Sequence, residues 1–230
     1  MMSILEMSTD LNELLQSVHH NQTIEKGSFL FQEGTPSHKL YIIRSGKVRI
    51  SKITPDGREL TLRLCSQGDL IGELTLFNSS QRSMQNGKVI ESGEVAVIFQ
   101  KNLEDMLSKN PALALEFMKW MSLQNQKAQT RFRDLVLNGK KGAIYSTLIR
   151  LANSFGERYK AGITLSITIT NQELANFCGT SREVVNRFLS DLRKNQVISI
   201  NKGIITINNL NYLKQEIDCE NCPIEICNIS

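Results

Sequence analysis

No stretch of the 230-residue chain approaches the roughly eighteen consecutive apolar residues of a membrane-spanning helix. Its first residues, Met1-Met2-Ser3-Ile4-Leu5-Glu6-Met7-Ser8, lack a basic segment followed by a long apolar run. Neither membrane insertion nor export is therefore expected, and the chain is read as cytoplasmic. Cysteine is sparse and odd in number, five in all, which excludes a secreted disulfide framework and in a reducing compartment favours metal binding or redox chemistry. There is no G-x-S-x-G elbow, no H-E-x-x-H, no P-loop and no second cysteine cluster. Hydrolase, metalloprotease, nucleotide-hydrolase and electron-transfer readings thus have little to rest on, and the chain is read as a non-enzyme. What remains is ordinary for a globular protein: 40% hydrophobic and 22% charged residues in 26.0 kDa, enough for two separate cores. A net charge of +4 and a pI near 8.8 permit nucleic-acid binding without arguing strongly for it.

From Gly27 to Phe99 short apolar or β-branched segments alternate with turn signals. The segments are Phe29-Leu30-Phe31, Leu40-Tyr41-Ile42-Ile43, Lys47-Val48-Arg49-Ile50, Glu59 to Leu64 and Val95-Ala96-Val97-Ile98. Glu33-Gly34, Ser45-Gly46, Thr54-Pro55-Asp56-Gly57, Gln67-Gly68-Asp69 and Asn86-Gly87 supply glycine where a tight turn needs positive φ. Residues 1–110 are expected to form an antiparallel β-roll (jelly roll), within an α+β fold.

A long helix follows over residues 111–138, after a cap near Asn102 and a break at Asn110-Pro111. Met118, Met121, Asn125, Ala128, Phe132 and Leu135 recur at spacings of 3, 4, 3, 4 and 3, a heptad seam. Such a stripe is often core packed on its own domain, but a polar Asn125 at an a position is a device that fixes register between paired helices. Homodimerisation through this helix is the resulting expectation. Asn138-Gly139-Lys140-Lys141-Gly142 ends the helix at a hinge, followed by a second amphipathic helix over Ala143–Ser154 and a strand over Gly162–Ile167.

Thr170 to Lys194 reads as a helix-turn-helix within a winged domain spanning residues 139–212. Thr170 with Glu173 forms a capping box, Gly179 makes the turn, and Ser181 or Thr180 caps the second helix. Leu174, Ala175, Phe177, Val184, Val185, Phe188, Leu189 and Leu192 supply a core, which leaves Ser181, Arg182, Glu183, Asn186 and Arg187 at the open N-terminal end that enters a major groove of double-stranded DNA. Arginine grips guanine O6 and N7 in a fork and glutamate accepts from cytosine N4, so this face suits G·C pairs. Val197–Ile200 and Ile204–Ile207 around Asn201-Lys202-Gly203 form a wing whose Lys202 can touch phosphate. The bland reading is a helical hairpin with surface charges.

Residues 213–230 form a tail with Cys219-Glu-Asn-Cys222-Pro-Ile-Glu-Ile-Cys227, a C-x2-C-x4-C run. Asp218, Glu220 and Glu225 stand beside these thiols, and acidic neighbours work against free thiolates, a penalty that a cationic metal centre reverses. Thiolates with a proline-stiffened turn suit iron-sulfur chemistry, whereas Cys-x2-Cys is equally a zinc half-site. On the residues alone iron and zinc stand level, and a redox disulfide is the third option. Cys65 and Cys178 read as buried apolar residues, and His19, His20 and His38 lie far from the cysteines.

Taken together, these segments resemble the CRP/FNR family of bacterial transcription regulators over nearly the whole length. The stretch Phe31-Gln-Glu-Gly34 through Leu40-Tyr41-Ile42-Ile43-Arg-Ser-Gly46-Lys-Val48 is similar to the family's effector domain. The heptad helix resembles its dimer helix, and the winged helix-turn-helix its reader. Arg182, Glu183 and Arg187 match its base-contacting positions in the arrangement of the CRP branch, which implies a palindromic TGTGA-type half-site and, for an activator, RNA polymerase as a partner. The cysteine tail is similar to that of the FNR regulators of Bacillus. This likeness implies one 4Fe-4S cluster per subunit on Cys219, Cys222 and Cys227, with Asp134 as fourth ligand, and oxygen-responsive anaerobic DNA binding. The alternative is a cyclic-nucleotide-responsive regulator of the CRP type with a structural zinc or redox-thiol tail. Ile71-Gly72-Glu73-Leu74 and Gln81-Arg82-Ser83 resemble a phosphate cassette, in which Gly72 turns the chain, Glu73 takes a ribose hydroxyl, and Arg82 with Ser83 takes a cyclic phosphate. The favoured reading is vestigial, with Met84 filling the phosphate end and Arg82 paired to Glu73.

Overall fold

The computed structural model describes residues 20–73, 76, 82–159 and 162–229; the N-terminal segment with His19, and Leu74 and Gln81 of the cassette, lie outside them. The described residues group into two units. One comprises the chain to Gly57 with Leu62–Ser122, the other Arg58–Thr61 with Leu123–Ile229.

Strands β1 (His20–Ile24), β2 (Phe29–Phe31), β3 (Lys39–Ile53), β4 (Glu59–Cys65), β5 (Leu70–Ile71) and β6 (Asn86–Phe99) form one sheet. β1, β2 and β3 all pair antiparallel with β6, and β5 pairs antiparallel with β3. This is the expected jelly-roll-like domain. Side chains alternate across a strand, and here both faces are covered. Tyr41, Ile43, Val95 and Val97 enter one core cluster, while Leu40, Ile42, Ala96 and Ile98 enter a second with Leu103, Leu107, Leu113, Phe117 and Trp120. Two-sided burial explains why the sequence shows unbroken apolar runs here.

The structure corrects two of the expected turns. Ser45-Gly46 is a bulge inside the continuous strand β3, where the register against β6 shifts between Ser45 and Lys47. A Cβ on Gly46 would lie 2.6 Å from the Glu91 carbonyl oxygen, so the glycine permits close approach of two backbones. Asn86-Gly87 lies within β6 rather than in a turn, with the Phe31 ring over Gly87. The Thr54-Pro55-Asp56-Gly57 turn is present, closed by Gly57 N–H donating to the Thr54 carbonyl at 2.8 Å. Helix α1 (Gln100–Lys109) starts two residues before the expected cap: Phe99 is its N-cap and Asn102 lies in its first turn.

Helix α2 (Pro111–Phe155) begins with Pro111 at its first position, and Asn110 accepts from Leu113 N–H at 3.2 Å. The two helices expected over 111–138 and 143–154 are one element kinked at Gly139, whose φ of 56° and ψ of −144° are non-helical. The arms close tightly past the kink, since a Cβ on Gly142 would meet the Asp134 carbonyl oxygen at 2.5 Å and the Asn138 Cβ at 2.3 Å. Gly142→Ala is therefore expected to cost about 1–3 kcal/mol through forced backbone displacement. Urea unfolding that matches the parent chain would contradict this.

The second unit carries the rest. Strands β7 (Gly156–Tyr159), β8 (Gly162–Thr168), β9 (Ile198–Asn201) and β10 (Ile204–Ile207) form a sheet in the order β7-β8-β10-β9, beside helices α3 (Asn171–Phe177), α4 (Arg182–Lys194) and α5 (Leu210–Gln215). No described helix is long and apolar enough to cross a membrane.

Candidate metal centre and nucleic-acid interface

The cysteine tail is folded by its own turn residues. Asp218 and Asn221 take positive φ of 46° and 53°, a region short polar side chains tolerate, and the turn after Pro223 closes with Cys227 N–H donating to the Pro223 carbonyl at 2.8 Å. The tail is then stitched to both arms of α2. From the arm before the kink, Arg131 donates to the Asn228 carbonyl at 3.0 Å and Asn138 to the Ile217 carbonyl at 3.3 Å. From the arm after it, Arg150 donates to the Ile226 carbonyl at 3.1 Å and Asn153 to the Cys227 carbonyl at 2.6 Å, while Ser154 accepts from Ile229 N–H at 3.0 Å.

Cys219, Cys222 and Cys227 line one cavity of about 310 Å³ together with Asp134, Arg133 and Arg150. Asp134 is buried between the two guanidinium groups. Its Oδ1 accepts from Arg133 at 2.9 Å and 3.2 Å, and its Oδ2 from Arg150 at 2.9 Å. Arg133 also donates to Glu220 and, at 3.9 Å, to the Cys222 sulfur. Burial alone would lower the pKa of Arg133, but its bonds to Asp134 and Cys222 and the charges of Asp134 and Glu220 win and raise it. Burial is also the main cause that pushes the Cys227 thiol up; Cys219, Cys222 and Asp134 add to it, and Arg150 opposes it. The sequence placed the acidic influence on the flanking Asp218, Glu220 and Glu225. In the structure Glu220 is turned to Arg133, and the carboxylate acting on Cys227 is Asp134.

Among the described residues no three His, Cys, Asp or Glu side chains converge closely enough to hold a single metal ion. Cys65 and Cys178 are buried as expected, at 0% and 3% exposure, and burial pushes the Cys178 thiol up to about 12. A thiol with that pKa stays protonated and unreactive near neutrality. In the metal-free native protein, alkylation is thus expected at the three half-buried tail thiols, with the other two labelled only after denaturation. Mass spectrometry showing five labels on the folded chain would contradict this.

The helix-turn-helix follows its sequence signals closely. Thr170 and Glu173 form the capping box, Ser181 caps α4 by accepting from Val184 N–H, and Gly179 carries a φ of 57° between the helices. Leu174, Ala175, Val185, Leu189 and Leu192 are buried, while Ser181, Arg182, Glu183, Asn186 and Arg187 are all exposed on one end of α4. The Ser181 hydroxyl and its own backbone N–H hold the Glu183 carboxyl below the usual carboxylate range, leaving an ionised acceptor. Asn186 accepts from Asn171, so its side chain is already oriented. The wing turn is Lys202-Gly203, with φ of 48° and 81°, the pair of positive values a two-residue hairpin loop requires.

The seam residues of α2 face away from the packed side of the helix. Met118, Met121, Phe132 and Leu135 are 59%, 44%, 69% and 46% exposed and Asn125 and Ala128 are exposed too, while Leu113, Phe117 and Trp120 are buried. The cassette reading needs two corrections. Arg82 donates to the Gly34 carbonyl at 2.6 Å, not to Glu73, whose carboxylate instead accepts from Met84 N–H at 3.1 Å and the Ser83 hydroxyl at 3.5 Å. Met84, expected to fill the phosphate end, is 66% exposed, and it is its backbone N–H that Glu73 holds. Gly72 has a φ of 123° and packs against Leu40.

Sequence reasoning missed Arg133, Arg150, Arg131, Asn138 and Asn153 as partners of the tail. Only Arg150 left a trace: it is the one cation in the run Thr147-Leu148-Ile149-Arg150-Leu151-Ala152, all of which is buried.

A β-roll, a long helix with an exposed heptad seam and a winged helix-turn-helix together define a two-domain DNA-binding regulator. Residues 21–110 match the Cyclic nucleotide-binding domain family and residues 143–216 the Crp-like helix-turn-helix domain family. The chain is 53% identical over 224 residues to the anaerobic regulatory protein of Bacillus subtilis, covering 97% of this chain and 94% of that protein. It is 27% identical over 201 residues to the fumarate and nitrate reduction regulatory protein of Vibrio cholerae, covering 87% and 80%. Among solved structures, a CooA variant from Carboxydothermus hydrogenoformans superposes with a TM-score of 0.76 at 20% identity, covering 94% and 97%, which is a likeness of fold. The chain belongs to the CRP/FNR family of DNA-binding transcription regulators. Regulators with this helix-turn-helix bind DNA and act as dimers.

Proposed function

We propose that the protein is an oxygen-responsive regulator that binds DNA in the absence of air, with one 4Fe-4S cluster per subunit on Cys219, Cys222, Cys227 and Asp134. The observation that carries this reading is the single cavity lined by those three thiols and that carboxylate, drawn from the tail and from α2 just before its kink. Zinc is the competing occupant of a Cys-x2-Cys pair, and a cavity of about 310 Å³ leaves room for a group larger than a single ion. Three thiolates and a carboxylate concentrate negative charge in a half-buried space, and Arg133 and Arg150 oppose it from the wall. When bound, an iron-sulfur cluster supplies an iron-carboxylate bond more exchangeable than iron-thiolate and so a point open to oxygen.

The chain's own residues convert occupancy into geometry. Asp134 precedes the Gly139 kink, the tail binds both arms, and α4 follows in the same unit, so tail position and the set of the recognition helix are coupled. A dimer built on Met118, Met121, Asn125, Ala128, Phe132 and Leu135 must hold its two recognition helices about 34 Å apart to read a palindrome. Arg182, Glu183 and Arg187 would read a TGTGA-type half-site there, with Ser181, Asn186 and Lys202 placing the backbone, and activation would proceed through RNA polymerase. The relative's name, anaerobic regulatory protein, agrees with this reading. The protein purified without air is expected to carry about four iron and four sulfide per chain with a broad blue-violet absorbance. Absence of iron and sulfide, or stoichiometric zinc in their place, would overturn the assignment.

A further inference from the structure

Arg150 is 2% exposed, and a buried cation persists only where its surroundings use it. One guanidinium group joins three pieces of chain. Its Nη2 donates to Asp134 Oδ2 at 2.9 Å and to Thr130 Oγ1 at 3.1 Å, both on the arm of α2 before the kink. Its Nη1 donates at 3.1 Å to the carbonyl of Ile226, the residue before Cys227, and Arg150 itself stands on the arm after the kink. Its Nε is buried without a partner, and the side chain lines the cavity with the three thiols. A flexible ammonium on a lysine cannot span these partners, because only the planar fork offers donors in two fixed directions at once.

We infer that Arg150 is a positioning residue of the metal site: it presents the Asp134 carboxylate to the tail thiols and ties Cys227 to the same point, acting on the metal through Asp134. This rests on the cluster reading above. In the metal-free protein Arg150 holds Asp134 in an ion pair, so the carboxylate stays at the cavity instead of turning to solvent. The residue therefore sets how readily the exchangeable ligand is delivered and regained.

The test uses the full-length dimer reconstituted anaerobically with ferrous iron and sulfide. Iron and sulfide content and the rate of absorbance loss in air are read for the parent chain, Arg150→Lys, Arg150→Met, Asp134→Asn and the double variant Asp134→Asn with Arg150→Met. The parent is expected to load fully, Arg150→Lys to load but bleach several-fold faster, and Arg150→Met to load poorly. In the Asp134→Asn background, Arg150→Met is expected to add little further loss. Parent-like loading and bleaching in Arg150→Lys and in folded Arg150→Met would overturn the inference while leaving the cluster standing. So would an Arg150→Met effect that adds in full to that of Asp134→Asn. A parent chain that takes up no iron and sulfide removes the cluster reading itself. Should Arg150→Met fail to fold, by circular dichroism, Arg150→Lys alone decides.

Discussion

Replacing Asp134 by alanine is expected to destabilise the metal-free protein by about 3–5 kcal/mol, a large fraction of the stability of an ordinary domain. The reason lies in what is left behind. Arg150 is almost wholly enclosed and its Nη2 is aimed at Asp134 Oδ2, so the substitution leaves a buried charge whose remaining partners, Thr130 and Ile226, are neutral. Arg133, which is partly exposed, can turn outward and contributes less. Asp134→Asn keeps the shape and a hydrogen-bond acceptor and is expected to cost less. Urea unfolding followed by far-UV circular dichroism measures both. A cost for Asp134→Ala within about 1 kcal/mol, the range of exposed ion pairs, would mean that the Arg150 pair is not dry. The same variant is expected to hold iron and sulfide weakly, since the cavity then offers only its three thiols.

On the recognition helix, Arg182→Ala and Arg187→Ala are each expected to weaken binding to a palindromic TGTGA-type duplex by about 1–3 kcal/mol, roughly fivefold to over a hundredfold, and to relax preference at one base pair. Both side chains are exposed at the N-terminal end of α4, and Arg187 lies with its guanidinium carbon 5.8 Å from the centre of the Phe188 ring, which limits its rotamers. Lys202→Ala on the wing should act differently, weakening all duplexes alike and reducing the salt dependence by about one counterion. Fluorescence anisotropy at several fixed salt concentrations separates the two patterns. Equal losses on matched and mismatched duplexes for Arg182→Ala would place that residue on phosphate instead of base.

How far the sequence carried depends on whether a signal is local. The capping box at Thr170 and Glu173, the Ser181 cap and the Lys202-Gly203 turn each involve residues within a few positions, so the helix-turn-helix and its wing were legible nearly to the residue, whereas β7 and α5 were not foreseen. Gly46 was visible as a glycine but not as a bulge, because what demands it is the Glu91 carbonyl across the sheet. Asn86-Gly87 carries the composition of a turn and lies in a strand, where the Phe31 ring leaves no room for a side chain. Arg82 and Glu73 were assigned to each other by charge, yet the nearer Gly34 carbonyl and Met84 amide take them, and no charge pattern reveals a backbone partner. Near the tail, the thiols and Asp134 were marked by cysteine spacing and by resemblance. The arginines that hold them come from helix positions whose tail partners lie 76 to 97 residues away, and separations of that kind leave only the faint mark of Arg150 in an apolar run.

The central claim is that occupancy of the cysteine cavity governs DNA binding by the dimer. The most direct measurement follows blue-violet absorbance and anisotropy of a labelled TGTGA-type duplex together, on protein prepared without air and then exposed to it. The account predicts tight binding while absorbance persists and release of the duplex with the same time course as its loss. Binding that is unchanged after the absorbance has gone, or equally tight in a chain with Cys219, Cys222 and Cys227 replaced by serine, would contradict it.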